Sequence, residues 1–195
     1  MLFQDTIGIF PNALSSKFCT ELITHFHQFS NYHQAGISGG GVHSESKNSI
    51  DWDILEGREL NSYYADTIIE TANELILQYV ESFGKQSQFD TSLLFSGGTG
   101  YPSWVVQWYK KNQGHFQQYH TESNHPDYRN RLFAIMFYLN TVHVGGETEF
   151  LYPNYKIKPT AGTFAIWPAG WPYVHRGLIP SSNDKYIITS WLVGK

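Results

Sequence analysis

Apolar positions recur at helical spacing in the first half of the chain and at strand spacing in the second. Phe18, Leu22, Ile23, Phe26 and Phe29 follow Ser15 and Ser16, which are suited to capping, and predict a helix from about 16 to 30. A strand-like segment precedes it. Residues 35–49, AGISGGGVHSESKNS, hold four glycines, four serines and two charges without apolar periodicity, and read as a mobile loop. A second helix is predicted from about 57 to 84, with Leu60, Tyr64, Ile68, Ala72, Leu75 and Tyr79 on its apolar face and Gly84 at its end. Beyond the loop FSGGTGYPS come eight short runs separated by turn residues: WVVQWYK, HFQQYHT, LFAIMFYL, ETEFLY, YKIKP, GTFAIWP, WPYVHR and KYIITSWLV. Strands at this spacing predict a sandwich or barrel. The expected fold class is therefore α+β, with N-terminal helices bracing one face of a β-sandwich.

A chain of 195 residues fits one domain spanning 1–195, large enough to bury a core without disulfides. The 13 Tyr, 13 Phe and 6 Trp suit a β-rich globule with aromatic-lined cavities. A net charge of -4 and the absence of any Lys/Arg run argue against a nucleic-acid partner. Cys19 is the lone cysteine, and MLFQDTIGIF has neither a basic start nor a long apolar stretch, so the expected compartment is the reducing cytoplasm. No apolar run approaches the roughly 20 residues of a membrane span, so no membrane partner is expected. The sequence carries no signal for an oligomeric state.

Candidate chemistry centres on HFQQYHTES. His120 and Glu122 stand two residues apart, and strand geometry would turn both side chains to one face. His175, in WPYVHRG, comes from a strand more than fifty residues later. Two imidazoles and one carboxylate on a triangular face leave three positions open, as in non-haem iron(II) sites that bind a co-substrate and dioxygen. Two rival triplets share the spacing. His43-Ser44-Glu45 lies in the Gly/Ser-rich loop, which would hold a ligand poorly. In His125-Pro126-Asp127 the proline would break the strand ladder and, with Asn124, reads as a turn.

A longer pattern surrounds the triplet. Tyr109 and Gly114 precede it; RLFAIMFYLN (131–140), GGETEF (145–150), IKPTAGTFAIWP (157–168), His175-Arg176-Gly177 and KYIITSW (185–191) follow in order. From Tyr109 to Trp191 the chain thereby resembles the prolyl-4-hydroxylase-like branch of the 2-oxoglutarate/iron(II) dioxygenases, and IFPNALSSKFCTELI is similar to that family's entry strand and helix. The resemblance implies a double-stranded β-helix (jelly-roll, cupin-like) core. It also implies iron(II), 2-oxoglutarate and dioxygen as cofactor and co-substrates, with ascorbate as an optional reductant. The implied reaction is hydroxylation of an unactivated C–H bond with release of succinate and CO2. A prolyl or other side chain of a peptide or protein is the first candidate substrate by analogy, and a small molecule the second. The chain departs from the family in having Glu122 where most members have Asp; the anionic oxygen ligand is kept, whereas Gly or Ala there would have suggested halogenation.

The resemblance also assigns roles. Lys185, ten residues after His175, matches a basic position that anchors the distal carboxylate of the co-substrate, and a buried cation is the natural partner for such a group. Tyr138 and Thr189 match positions contributing hydroxyls near that carboxylate, and Tyr109 matches a tyrosine near the iron-proximal end. Arg131 and Arg176 are read as substrate contacts or structural ion pairs, and Gly145 and Gly146 as a turn. Trp167, Trp171, Trp191 and Phe150 are read as core or channel lining, and the 35–49 and 95–103 loops as lids. Two other classes compete: a non-catalytic jelly-roll module binding a ligand or partner, and a zinc hydrolase using the same three ligands, which would leave Lys185, Thr189 and Trp191 idle.

Overall fold

The computed structural model describes residues 2–39, 41–87 and 90–195. Strands β1 (Leu2–Gln4) and β2 (Ile7–Phe10) form a hairpin ahead of α1 (Ser16–Gln28). The Ser15 hydroxyl accepts from the Phe18 N–H at 3.1 Å, and Phe18, Cys19, Leu22 and Phe26 then fall on the buried side of the helix. Short strands β3 (Gln34–Ala35), β4 (Lys47–Asn48) and β5 (Ile50–Asp53) precede the long helix α2 (Arg58–Ser87). The rest are β6 (Thr99–Gly100), β7 (Val105–Tyr109), β8 (His115–His120), β9 (Arg131–Tyr138), β10 (Thr148–Phe150), β11 (Tyr155–Ile157), β12 (Thr163–Pro168), β13 (His175–Gly177) and β14 (Lys185–Gly194). Each of the eight C-terminal runs supplies one strand, β7 to β14.

Among the described residues the strands pair into two antiparallel sheets. The larger has the order β1-β2-β12-β9-β14-β7-β5-β3, with β6 added to β14; the smaller has the order β11-β10-β13-β8-β4. Side chains alternate across the larger sheet with the period of two that strand geometry imposes. Phe133, Ile135 and Phe137 of β9 and Ile188 of β14 pack with Leu22, Phe26, Ile68 and Ile76 of the two helices. Ala134, Met136, Tyr138 and Ile187 turn the other way, toward Phe150 and Ile157 of the smaller sheet. Helices thus cover one face of the larger sheet, and the smaller sheet closes the other as a double-stranded β-helix. No helix among the described residues is long and apolar enough to cross a membrane.

Three expectations need correction. Leu60, assigned to the apolar face of α2, is 60% exposed, and its neighbour Asn61 is buried instead. The Asn61 amide donates to the carbonyls of Glu56 and Gly57 at 3.2 Å, and its oxygen meets His25 Nε2 at 2.7 Å, so a polar side chain is satisfied at the helix start. Gly84 does not end α2, which continues to Ser87. The segment 35–49 is not a featureless loop: β3 and β4 bound it, a Ser38–Gly41 bridge crosses it, and buried Lys47 pairs with Asp51 at 2.7 Å. Strands this short and polar leave no apolar alternation to read.

The paired glycines behave as expected. Gly145 and Gly146 have φ of 75° and 77°, and a Cβ on Gly145 would stand 2.3 Å from the Ile179 carbonyl oxygen. Gly145→Ala is expected to lower stability by about 1–3 kcal/mol, read as a drop of several degrees in a thermal melt. A melting temperature equal to that of the wild type would contradict the strain argument.

Candidate metal centre and its cavity

The antiparallel pairing of β8 with β13 sets His175 directly opposite His120, with ring centroids 4.4 Å apart. Each ring is oriented from behind. His120 Nδ1–H donates to the Gln118 carbonyl at 2.9 Å, and His175 Nδ1–H donates to the Tyr173 carbonyl at 3.0 Å. This fixes the tautomer and leaves both Nε2 lone pairs available, the usual preparation of histidine as a metal ligand. Phe116 stacks on His120 with centroids 3.9 Å apart, and Trp167 meets His175 edge-on at 5.0 Å, so neither ring turns freely.

Glu122 completes the group, but not by strand periodicity. β8 ends at His120, and Glu122 lies just beyond it, where its N–H donates to the Ala169 carbonyl at 2.9 Å. Its Oε1 lies 3.6 Å from His120 Nε2 and 3.2 Å from His175 Nε2. Its Oε2 accepts from the Trp191 indole N–H at 2.7 Å and from Arg131 Nη1 at 3.4 Å. Burial pushes the Glu122 carboxyl upward, but the facing imidazoles outweigh it and hold the group well below the usual carboxylate range. The His175 imidazole is pushed down, first by burial and then by His120. The potential ligand atoms of His120, Glu122 and His175 lie within 4.8 Å of one another, the only such His/Cys/Asp/Glu group among the described residues.

The rival triplets do not converge. His125 and Asp127 are 51% and 79% exposed, and His125 accepts from the Asp127 N–H as the cap of a short 3-10 turn at 126–128. His43 and Glu45 belong to no such group.

All three candidate ligands line a cavity of about 550 Å³ between the sheets. Lys185, Ile187, Thr189 and Trp191 also line it, because they occupy the inward positions of β14. Lys185 is 3% exposed, and no carboxylate among the described residues lies within ion-pair distance of its Nζ. Burial pushes its pKa down to about 8, with Glu147 opposing from farther away. The Thr189 hydroxyl is buried without a hydrogen-bond partner. A buried cation without a counter-charge and a buried hydroxyl without a partner cost stability unless a ligand answers them.

Tyr109 lines the cavity, with Lys185 Nζ 5.4 Å from its ring centre. Its hydroxyl donates to Gln107 Oε1 at 3.0 Å, while Gln107 Nε2 donates to Asp51 at 3.2 Å and Ser49 and Lys47 donate to the same carboxylate at 2.7 Å. Tyr138 is fully buried and does not line the cavity. Its ring centre lies 5.8 Å from Lys185 Nζ, and its hydroxyl bonds at 2.7 Å to Thr148 Oγ1, on a residue that does line it. Arg176 forms an ion pair. Its Nε donates to Glu149 at 2.5 Å, directly across the sheet, beside a Lys156–Glu149 pair at 2.7 Å. Trp167 and Phe150 are buried near His175, whereas Trp171 is 74% exposed and fills no core.

Sequence reasoning missed the contacts of Trp191 and Arg131 with Glu122 and the Lys47–Asp51–Gln107–Tyr109 chain. Their partners come from remote strands, and the only hint was the presence of polar residues in otherwise apolar runs.

An antiparallel double-stranded β-helix here gathers two imidazoles and a carboxylate, the donor set of a mononuclear metal site with open positions, beside a buried cation. Residues 104–193, which contain every one of the seven candidate site residues, match the family model of the 2OG-Fe(II) oxygenase superfamily. Over that segment, a little under half of the chain, the sequence is similar to oxygenases whose family description names 2-oxoglutarate and iron(II). The donor set present suits that group, with nitrogen and oxygen ligands for iron(II) and a cation for a dicarboxylate.

Solved structures share the fold at low identity. The viral collagen prolyl hydroxylase of Paramecium Bursaria Chlorella virus-1, in its 2OG complex, is 20% identical with a TM-score of 0.69, over 98% of this chain and 97% of that one. A Pseudomonas putida prolyl-4-hydroxylase is 14% identical with a TM-score of 0.66, over 97% and 93%. A Trichoplax adhaerens prolyl hydroxylase, solved with a hypoxia inducible factor oxygen degradation domain peptide fragment, is 17% identical with a TM-score of 0.72, over 97% and 84%. No curated protein sequence matches the chain significantly.

Proposed function

We propose that the chain, as one catalytic domain, hydroxylates a side chain of a peptide or protein, a prolyl residue first, with His120, Glu122 and His175 holding iron(II) and Lys185 and Thr189 holding 2-oxoglutarate. The observation that carries this reading is the shared cavity: the three converging ligands and the uncompensated Lys185 line one space of about 550 Å³. That space is ample for a five-carbon dicarboxylate and leaves room for part of a substrate. Peptide as the substrate class is supported by the likeness in fold to prolyl hydroxylases, one of them solved with a peptide fragment.

With iron(II), 2-oxoglutarate and dioxygen bound, the site would supply oxidative decarboxylation to succinate and CO2, one oxygen atom of dioxygen going to succinate and the other to a substrate C–H bond. The side chains prepare the space for it. The carbonyls of Gln118 and Tyr173 keep the two histidines in the metal-binding tautomer. Lys185 offers its charge, and Thr189 its hydroxyl, to the distal carboxylate. Ile187, Met136, Trp167 and Phe116 wall the cavity with apolar surface, which limits water and strengthens these polar contacts.

Anaerobic addition of iron(II) and 2-oxoglutarate should produce a metal-to-ligand charge-transfer band, and oxygen should then release succinate in step with modification of a proline-containing peptide pool. A band without peptide-dependent succinate would reject the peptide reading and redirect the search to small molecules. Absence of the band would reject the assignment of the site.

A further inference from the structure

We propose that Arg131 and Trp191 are positioning residues that capture the outer oxygen of Glu122, making it a one-oxygen donor and making glutamate, rather than aspartate, the length the site requires. This rests on the reading of His120, Glu122 and His175 as metal ligands and adds what holds the carboxylate in place.

Glu122 lacks the support that its two partners have. The histidines sit on paired strands and are tied to backbone carbonyls, whereas Glu122 follows the last residue of β8. Its position comes from elsewhere. Arg131 Nη1 donates to its backbone carbonyl at 3.2 Å and approaches its Oε2 at 3.4 Å, so one guanidinium grips main chain and side chain together. The Trp191 indole N–H donates to the same Oε2 at 2.7 Å.

Both donors are themselves fixed. The Arg131 guanidinium lies 4.0 Å from the Tyr128 ring centre and 3.7 Å from that of Trp191. Trp191 is held on β14, where it pairs with Ala134 of β9, on the face that carries Lys185 and Thr189. With Oε2 taken by two donors, Oε1 is the oxygen turned toward both imidazoles, at 3.6 and 3.2 Å. Two fixed demands at opposite ends of one carboxylate set the reach of the side chain. Aspartate, one methylene shorter, meets the donors or the imidazoles but not both.

The test is a double-mutant cycle read by cobalt(II) binding, with the metal's visible absorption reporting its ligand field. Trp191→Phe keeps the ring over Arg131 and removes only the N–H; Glu122→Asp shortens the carboxylate. Each single variant should bind cobalt(II) about 10–100-fold more weakly and with an altered spectrum. The double variant should be no weaker than the worse single one, because the interaction is already lost. Arg131→Met supplies the same readout should Trp191→Phe not fold, as judged by circular dichroism and thermal melting. Folded variants that bind like the wild type with an unchanged spectrum, or losses that simply multiply, overturn the clamp while leaving the metal site intact. A wild-type protein that binds no cobalt(II) overturns the metal reading and the clamp together.

Discussion

Glu122→Ala is expected to abolish the charge-transfer band that iron(II) and 2-oxoglutarate give with the wild-type protein, and with it succinate release. The substitution removes the only carboxylate of the converging group and leaves the Trp191 indole and the Arg131 guanidinium without their acceptor. Loss of a ligand should exceed the roughly 10–100-fold effects typical of residues behind the ligands. Asp127→Ala is the matched control. Asp127 is 79% exposed on a short turn, and its removal should leave the band unchanged. A retained band in Glu122→Ala, or its loss in Asp127→Ala, would reverse the assignment.

The second large effect is expected at Lys185, where function and stability should move in opposite directions. Lys185→Met keeps length and apolar stem but removes the charge, and affinity for 2-oxoglutarate should fall on the order of 10²- to 10³-fold, the loss expected when one partner of a buried ion pair is deleted. In the absence of 2-oxoglutarate the same variant should be more stable than the wild type at pH 7. Burial holds the folded-state pKa near 8, below its ordinary 10.5, so the unfolded chain binds the proton more tightly. The resulting destabilisation is on the order of 3 kcal/mol, fully present below pH 8, and relieved as pH rises from about 8 toward 10.5. Melting curves should therefore separate by about 5–10 °C at pH 7 and converge at high pH. Wild-type affinity for 2-oxoglutarate should weaken above pH 8, because the free protein then presents a neutral amine. Equal melting curves at pH 7, or a dissociation constant indifferent to the variant, would remove Lys185 from the site.

Much of the site was legible because its motifs resemble those of a known family. The resemblance assigned Lys185 and Thr189 to the co-substrate, and Trp191 was read as core or channel lining; the structure turns all three to the cavity. The His120/Glu122 pair was found for a partly mistaken reason: the two side chains do converge, but Glu122 is held by Ala169, Arg131 and Trp191 rather than by the strand ladder. Tyr138 was placed beside the co-substrate carboxylate, yet its hydroxyl is taken by Thr148 and the residue stands behind the cavity wall. Which of two hydroxyls faces a cavity depends on how sheets pack, and packing is not encoded in one strand's spacing.

By itself the sequence determined the eight C-terminal strands and both helices, and it named candidate residues for a metal and a dicarboxylate. The elements follow from local periodicity and capping, the candidate metal ligands from side-chain chemistry and spacing, and the candidates for the dicarboxylate from the resemblance to a family. The tertiary structure decided which His-x-acid triplet converges with His175, where β3 to β5 join the sheets, and which donors grip Glu122. These depend on register between strands far apart in the chain, such as His175 opposite His120, and on burial that strips water from Lys185. Both are properties of two surfaces meeting, so they exist only once the sheets have closed on each other.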